Sequence, residues 1–403
     1  MSNISVLEVS LHQQRIGTIT HLPGDQTLFA FDEGYIEDED RPTLSLSYKD
    51  AYGGLMSRFR PVQTRVSPFF SNLLPEGALR RYLAGRAGVK EVREFPLLGL
   101  LGGDLPGAVT IRPAEGDIWP EGEAGKDDIS ADHAMRFSLA GVQLKFSALM
   151  EARGGLTIPA TGAGGNWIVK LPSASFEGIP ENEFSMMELA RKMGLDVPEV
   201  KLLPLDHIAG LPIGVEGQSG HAFAIKRFDR AGDGQRIHIE DFAQIFSVYP
   251  ERKYERANYR NLGEVIWTET GATGIAEFVR RLVFNALIGN ADMHLKNWSL
   301  IYPDGRAPAL APAYDFVSTI AYLEDENMAL NFITSGTKAF AGLDREAFKR
   351  FASKVGVPVK IITDAVDETR TLFDQVWREG KSALPLSKGV IRAVESHQGK
   401  LGI

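Results

Sequence analysis

The chain has 403 residues, 44% of them hydrophobic and 24% charged, a composition typical of a globular protein of two or three domains with a large core. Its formal charge is −8, from 44 Lys and Arg against 52 Asp and Glu, so nucleic acid is not expected to bind across the whole surface. The absence of cysteine excludes disulfides, thiolate catalysis and cysteine-rich zinc sites. No signal-peptide pattern is evident and no apolar run reaches the roughly 18–20 residues of a membrane span, so we expect a cytoplasmic protein without membrane contact.

Alternation of apolar residues predicts a small β-rich unit at the N-terminus. Its predicted strands are 4–11, 16–21, 28–32 and 44–48. A helix is predicted over 68–88, with Pro75 and Glu76 at a start, and a helix, a Gly-rich turn and a strand over 94–111. Residues 112–132 are rich in Glu, Asp, Gly and Pro without periodicity, which predicts a linker.

The rest of the chain changes from strands to helices near residue 230. Before that point the pattern predicts strands within 135–150, 165–172, 200–205 and 221–230 and an amphipathic helix over 181–200. After it we predict helices over 239–246, 274–288, 344–356, 359–380 and 386–398. This order predicts a two-lobed α+β architecture, and the cleft between two lobes is a preferred ligand site.

The segment GNADMHLKNWS (289–299) is the strongest candidate for a catalytic loop. It places Asp292 and Asn297 in a D-x-x-x-x-N frame, and a second carboxylate, Asp315, follows in APAYDFVST. In phosphoryl transfer a carboxylate orients the attacking hydroxyl, while an Asn and a second Asp hold the metal ion. Such spacings arise by chance, but this one lies between an apolar segment and a strand-like one, where a rigid scaffold presents catalytic groups. We therefore interpret it as a kinase catalytic loop.

A kinase also needs a cation on the nucleotide phosphates, usually a strand Lys oriented by a helix Glu. Lys170 lies near the end of the predicted strand GNWIVKLP (165–172), and the helix that follows carries Glu183 and Glu188. A phosphate-covering loop is harder to find, because neither GxxxxGK[ST] nor GxGxxG occurs. The nearest substitute is SLAGVQLK (138–145), which is equally compatible with an ordinary turn into a strand.

The segment AIKRFDR (224–230) lies where the pattern changes from strands to helices. Its residues Lys226 to Phe228 are candidates for backbone contacts with adenine, and Asp229 for a bond to a ribose hydroxyl. An interdomain cluster of salt bridges explains the same charges as well as a nucleotide site does.

Two further features have a structural and a functional interpretation. His294 is a candidate general base or metal ligand, but one His without a second His or Cys at ligand spacing makes a poor metal site, which favours a residue that stabilises the loop or contacts phosphate. The basic residues of 252–260 alternate with Tyr254 and Tyr259, which is typical of a solvated helix face. The alternative is a contact surface for a protein or RNA substrate.

Taken in order, these pieces resemble the HipA family of serine/threonine kinases, the toxin halves of HipBA toxin–antitoxin modules. The resemblance covers nearly the whole chain, up to at least residue 320. It is carried by NLLPEG (72–77), FSLAGVQLKFSAL (137–149), IVKLP (168–172), NEF with the following helix (182–195), KRFDR (226–230), Tyr254–Glu255, GNADMHLKN (289–297) and AYDF (313–316).

The resemblance implies a role for each matching position. Asp292 would be the catalytic residue, Asn297 and Asp315 the Mg²⁺ ligands, and Ser138 the serine that such kinases autophosphorylate. The residues implied to bind ATP are Ala140, Gly141, Val142, Gln143, Leu144, Lys145, Lys170, Lys226, Arg227, Phe228, Asp229, His294, Leu295, Lys296, Asn297, Tyr314 and Asp315.

The resemblance also implies a fold, a substrate and a partner. The fold would be bilobal and protein-kinase-like, with a β-rich subdomain over 1–112, a kinase N-lobe over 113–230 and an α-helical C-lobe over 231–403. The substrate would be an aminoacyl-tRNA synthetase, above all glutamate-tRNA ligase, whose phosphorylation arrests growth. A HipB-type antitoxin would neutralise the toxin and contact DNA on its behalf. Two alternatives stay open: a catalytically silent, antitoxin-binding corepressor, and an enzyme similar to phosphoinositide kinases with a non-protein substrate.

Overall fold

The computed structural model describes residues 6–86, 88–115, 145–150, 155–158, 164–173, 175–211, 219–232, 234–323, 327–333 and 338–403. Ser138, the predicted loop residues 140–144 and most of the predicted linker lie outside this part of the chain. Strands dominate before residue 230 and helices dominate after it.

The strands of the described residues form three sheets. The strands are β1 Val6–Leu11, β2 Gln14–Leu22, β3 Gln26–Phe31, β4 Val62–Gln63, β5 Val109–Pro113, β6 Lys145–Met150, β7 Leu156–Thr157, β8 Trp167–Lys170, β9 Val200–Pro204, β10 Ile208–Ala209, β11 His221–Lys226, β12 His238–Asp241, β13 Ser299–Tyr302 and β14 Ala309–Leu310. Their orders are β4-β3-β2-β1-β5, β10-β7-β6-β8-β11-β9 and β12-β13-β14.

The helices become longer toward the C-terminus. They are α1 Glu33–Glu37, α2 Pro68–Ser71, α3 Gly77–Arg86, α4 Glu94–Leu101, α5 Ile179–Lys192, α6 Phe242–Ile245, α7 Tyr259–Ile288, α8 Arg345–Val355, α9 Val359–Gly380 and α10 Lys388–Gln398. Among the described residues, no helix combines the length and the apolar character that a membrane span requires.

The first sheet is an antiparallel unit whose buried face is set by alternation. Leu7, Val9 and Leu11 of β1 are fully buried, while the residues between them are partly exposed. The predicted strand over 44–48 is wrong, since this segment is a loop that ends in a 3-10 turn, Leu46–Tyr48. Burial in this segment does not follow the apolar alternation: Leu44, Ser45 and Tyr48 are buried, while Leu46 and Ser47 are partly exposed.

The second sheet and α5 together present Lys170. Strand β8 lies between β6 and β11, and Lys170 pairs with Lys145 of β6 at the end of the ladder. Helix α5 packs on β9 and β11 through an apolar face of fully buried residues that includes Met186, Met187 and Leu189. The strand and the helix therefore hold their polar groups in fixed relative positions.

The third sheet lies beside the long helix α7, and its central strand β13 begins at the end of the candidate catalytic loop. The helical prediction over 239–246 is wrong in its first half, because His238–Asp241 pair with β13. Only then does α6 begin, with Asp241 and Gln244 forming a capping box. Helix α7 is interrupted at Gly271, whose φ of 66° and ψ of −153° favour glycine.

A buried carboxylate fastens the N-terminal unit to the third sheet. Glu240 of β12 is fully buried and accepts hydrogen bonds from the Ser45 hydroxyl at 2.5 Å and the Leu46 amide at 2.9 Å. The Tyr302 hydroxyl also donates to it. Because a buried carboxyl group without such partners is costly, these bonds fix the unit on the C-terminal half of the molecule.

Candidate active site

Helix α7 delivers the candidate catalytic loop to the cleft. The helix ends at Gly289, which has a φ of 65° and whose Cβ, if present, would lie 2.4 Å from the Ile320 side chain. Asn290 then fastens the loop: its Oδ1 accepts from the Asp292 amide at 3.0 Å, and its Nδ2 donates to the Asp315 carbonyl at 3.1 Å. The side chain of Asn290 is thus the link between the two acidic segments.

Asp292 and Asn297 lie together, as the spacing predicts. The side-chain amide of Asn297 donates to the backbone carbonyl oxygen of Asp292 at 2.8 Å, so the two ends of the D-x-x-x-x-N frame are bonded to each other. The Tyr254 hydroxyl donates to Asp292 Oδ1 at 2.7 Å. Burial, followed by the charge of Asp292, raises the pKa of Tyr254, so its phenol remains a hydrogen-bond donor at neutral pH.

Lys170 is the cation of the site. Its ammonium donates to Glu183 of α5 at 2.5 Å and also to Asp315. Burial alone lowers the pKa of Lys170, but the charges of Asp315 and Glu183 outweigh it and hold that pKa above its ordinary value. The predicted pairing of a strand Lys with a helix Glu is confirmed, with Glu183 as the partner.

Asp315 approaches Lys170 through an uncommon backbone conformation. Its φ is 58°, in the left-handed region that residues other than glycine seldom adopt. Burial raises the pKa of Asp315, but Lys170 outweighs that effect and the pKa falls below its ordinary value. Such strain persists where the surroundings determine it, and it is concentrated at functional sites.

These groups face one open cleft of about 770 Å³, within the range of small-molecule sites. The lining residues come from the second sheet, α5, the catalytic loop and the segment after Asp315. They are Lys145, Lys170, Phe176, Ile179, Glu183, Tyr254, Ala291, Asp292, Asn297, Asp315, Val317, Thr319, Leu323, Asn327, Met328, Ala329 and Lys338.

His294 lies beside the cleft, and its ring packs edge-on against Tyr254 with 5.0 Å between ring centroids. It is 6% exposed, and its Nδ1 has no hydrogen-bond partner among the described residues. Burial lowers the pKa of His294 to about 4, so the imidazole is neutral at pH 7.

Two other predicted nucleotide contacts point away from the cleft. Leu295 is fully buried in the hydrophobic core. The Lys296 ammonium lies 2.8 Å from Glu76 of the N-terminal unit, although its carbonyl accepts from the Tyr314 hydroxyl at 2.9 Å.

The predicted adenine segment is divided between two environments. Arg227 and Asp229 are bonded to each other at 2.8 Å, and Asp229 also accepts from Arg230 and from the Gly107 amide, both at 2.8 Å. Arg227 and Arg230 both contact Asp104 of the N-terminal unit. The alternative of an interdomain salt-bridge cluster therefore describes these side chains.

The other two residues of that segment differ. The Lys226 side chain is exposed, and the Phe228 ring stacks on Tyr314 with 5.8 Å between centroids. Phe228 and Tyr314 thus connect the segment to the residue before Asp315.

The donor set of the cleft fits Mg²⁺. Asp315 offers a carboxylate. Asn297 offers its side-chain Oδ1, which is left for a ligand because the Nδ2 of the same amide donates to the Asp292 carbonyl and so orients the group. Within the described ranges no group of three or more His, Asp or Glu is placed to hold a metal ion. Mg²⁺ usually takes one or two protein oxygens and completes its shell with phosphate oxygens and water, so this small set suits the ion together with a nucleotide.

Sequence reasoning gave no role to several residues that organise the site. Asn290 belongs to the quoted motif but carries no prediction of its own. Thr319 accepts from the Ala291 amide at 2.7 Å and donates to the Gly289 carbonyl at 3.1 Å, and nothing in the spacing indicates it. Tyr254 belongs to the Tyr–Glu pair of the resemblance, and its contact with Asp292 appears only in the fold.

The lobes, the strand lysine, the helix glutamate and the acidic loop define a bilobal, kinase-like architecture, which confirms the predicted fold class. The HipA N-terminal domain model matches residues 7–112, and the HipA-like C-terminal domain model matches residues 137–377. The chain therefore belongs to the HipA family, as the resemblance predicts.

Relatives of known name agree with this assignment. A Sinorhizobium fredii protein named "Putative kinase Y4dM" is 54% identical over 98% of this chain and 97% of its own length. The serine/threonine-protein kinase toxin HipA of Shewanella oneidensis is 26% identical over 81% of this chain and 78% of its own length.

The fold is shared with a solved structure. The HipA chain from the complex of HipA, HipB and operator DNA of Shewanella oneidensis matches with a TM-score of 0.73 and 21% identity, over 98% of this chain and 96% of that chain.

Proposed function

We propose that this chain is an ATP- and Mg²⁺-dependent serine/threonine protein kinase and the toxin of a HipBA-type toxin–antitoxin module. The observation that carries the proposal is the convergence of Asp292, Asn297, Lys170 and Asp315 on one cleft. A silent binding protein has no need to keep four charged and polar groups in this arrangement, with Lys170 and Asp315 mostly buried.

In the reaction, the substrate hydroxyl oxygen attacks the γ-phosphorus of ATP. The bond from that oxygen to phosphorus forms, the bond from phosphorus to the β,γ-bridging oxygen breaks, and ADP leaves. Asp292 orients the hydroxyl and takes its proton, and Tyr254 holds the carboxylate through the bond to Oδ1. Lys170, kept protonated by Glu183 and Asp315, offsets the negative charge of the phosphates.

Asn297 and Asp315 would hold Mg²⁺, which when bound offsets charge on the phosphate oxygens. For adenine, the amides of Lys226 and Arg227 already donate to the carbonyls of Glu199 and Asn166, both at 2.9 Å. This favours the Phe228 backbone as the adenine contact.

The substrate and partner follow from the family. We infer that an aminoacyl-tRNA synthetase, with glutamate-tRNA ligase first, is phosphorylated and that translation and growth are thereby arrested. A HipB-type antitoxin would bind the chain and bring it to DNA, which the solved complex of the Shewanella relative supports. Ser138 would be autophosphorylated, and the functional division would be 1–112, 113–230 and 231–403.

Intact mass measurement after incubation with ATP and Mg²⁺ tests the proposal. The wild type should gain one phosphate, Asp292→Gln none, and Ser138→Ala should lose the modification. A wild type that gains no phosphate on itself and transfers none to protein would favour the corepressor, and phosphate transferred only to lipid would favour the enzyme similar to phosphoinositide kinases. Phosphoproteomics after brief expression, compared with Asp292→Gln, then identifies the synthetase.

A further inference from the structure

One carboxylate of the N-terminal unit reaches the back of the catalytic loop. Glu76, in the NLLPEG segment 72–77, lies 2.8 Å from the Lys296 ammonium and 2.9 Å from the Lys253 ammonium. Lys296 also donates to the Asn72 carbonyl at 3.0 Å. The segment 72–77 thus contacts two separate stretches of the kinase-like part, one through Lys253 and the other through Lys296.

Both lysines adjoin residues of the active site. Lys296 precedes Asn297, whose side-chain amide donates to the Asp292 carbonyl oxygen. Lys253 precedes Tyr254, whose hydroxyl is bonded to the Asp292 carboxylate. The Leu295 amide lies 3.4 Å from the Lys253 carbonyl, so the two stretches run side by side. Glu76 therefore contacts the residues that immediately precede Tyr254 and Asn297, two of the side chains that bond Asp292.

The charges of Glu76 and the two lysines favour a stable contact. Burial raises the pKa of Glu76, but Lys296 and Lys253 outweigh it and lower that pKa to about 2, so the carboxylate is ionised at physiological pH. The lysine side chains are 14% and 19% exposed and the Glu76 side chain is 35% exposed, so solvent screens these ion pairs in part. Asn72 is itself anchored, since its Nδ2 donates to the Val248 carbonyl at 2.7 Å.

We propose that Glu76 is a positioning residue for phosphoryl transfer: it holds Lys296 and Lys253 and thereby fixes the catalytic loop and Tyr254. The N-terminal unit then completes the active site in addition to packing beside it. This inference rests on the proposed kinase function and deepens it, because contacts at the N-terminal unit can alter turnover without touching the nucleotide.

The test compares Glu76→Gln with Glu251→Gln in the full chain. Glu251 is a matched control, because it also pairs across to the N-terminal unit, with Arg65, but touches neither lysine. Misplacing a catalytic group by about 1 Å costs on the order of 100-fold, so Glu76→Gln should lower kcat by about 10- to 100-fold. The KM for ATP should change less than about threefold, because Lys170 and Asp315 are untouched.

A readout without turnover separates this inference from the proposed function. Hydrogen exchange of the amides of 290–297 should be faster in Glu76→Gln than in the wild type and unchanged in Glu251→Gln. Lys296→Met should reproduce part of both effects. Combining it with Glu76→Gln should give less than the sum of the two losses, because the two variants share the contact between Glu76 and Lys296.

The outcomes are distinct. Unchanged loop exchange and a kcat within about twofold of wild type in Glu76→Gln would overturn the positioning role, as would fully additive losses in the double variant. A wild type that transfers no phosphate would overturn the kinase proposal, while the exchange comparison would still decide whether Glu76 holds the loop. If Glu76→Gln does not fold, the same measurements on Glu76→Asp, which keeps the charge on a shorter side chain, decide by the same criteria.

Discussion

Replacing Lys170 with methionine tests whether one cation holds the buried charges of the cleft. The side chains of Lys170 and Glu183 are only 7% and 4% exposed. Removing one member of a buried pair leaves an uncompensated charge and costs about 3–5 kcal/mol. Asp315 is 23% exposed and partly solvated, so we expect the lower part of this range, about 3–4 kcal/mol.

Thermal unfolding without nucleotide measures this loss. Each kcal/mol shifts the Tm of a domain of 150–250 residues by about 2–4 °C, so Lys170→Met should melt about 10 °C below the wild type. Adding Glu183→Gln removes one of the stranded charges and should restore about half of the loss.

A neighbouring lysine provides the control. Lys201 lies on β9 of the same sheet, is 34% exposed and pairs with Glu199 at 3.6 Å, so Lys201→Met should cost less than about 1 kcal/mol. A Lys170→Met protein that melts with the wild type, or a double variant less stable than the single one, would refute the reasoning.

Three further predictions concern single contacts. Tyr254→Phe removes the hydrogen bond to Asp292, which is worth about 1.5 kcal/mol. In steady-state kinetics kcat should therefore fall about tenfold with little change in the KM for ATP, and an unchanged kcat would contradict this. Asp229→Asn weakens the charged bond to Arg227 and should lower the unfolding free energy by about 2–4 kcal/mol. The affinity for ATP, measured by calorimetry, should stay at the wild-type value, and a large loss of affinity would instead show that Asp229 contacts the ribose. The folded-state pKa of Glu76 is about 2 against an ordinary 4.5, so its contribution to stability is present above pH 4.5 and is lost as the pH falls toward 2. Glu76→Gln should therefore lose stability less steeply than the wild type between pH 5 and 3 in denaturant titrations, and parallel curves would argue against the ion pairs.

The sequence best predicts those site residues that lie in one loop, or in a strand and the helix that follows it. The D-x-x-x-x-N spacing places Asp292 and Asn297 in one loop, and the order strand Lys, helix Glu gives the contact between Lys170 and Glu183. The long amphipathic patterns likewise predict α9 over 359–380 with the bounds found, because its apolar face is regular and Pro358 immediately precedes its first residue.

Contacts that depend on chain packing are not visible in the sequence. Asp104 contacts Arg227, which lies 123 residues further along the chain, and no spacing indicates that Asp229 joins this cluster of ion pairs. The segment 44–48 alternates like a strand, but Leu44 and Tyr48 pack in the core of the N-terminal unit while Ser45 and Leu46 bond Glu240 of the third sheet. In both places the structure depends on tertiary contacts that a local pattern does not encode.

Transfer of radiolabelled phosphate from ATP, compared between the wild type and Asp292→Gln, tests the central claim most directly. General-base catalysis contributes about 10²–10⁴-fold, so the account predicts a loss in this range in Asp292→Gln, with ATP affinity by calorimetry largely retained. The exposed Asp206, changed to Gln in parallel, should leave both quantities unchanged. Transfer by Asp292→Gln at the wild-type rate, or no transfer by the wild type, would contradict the account.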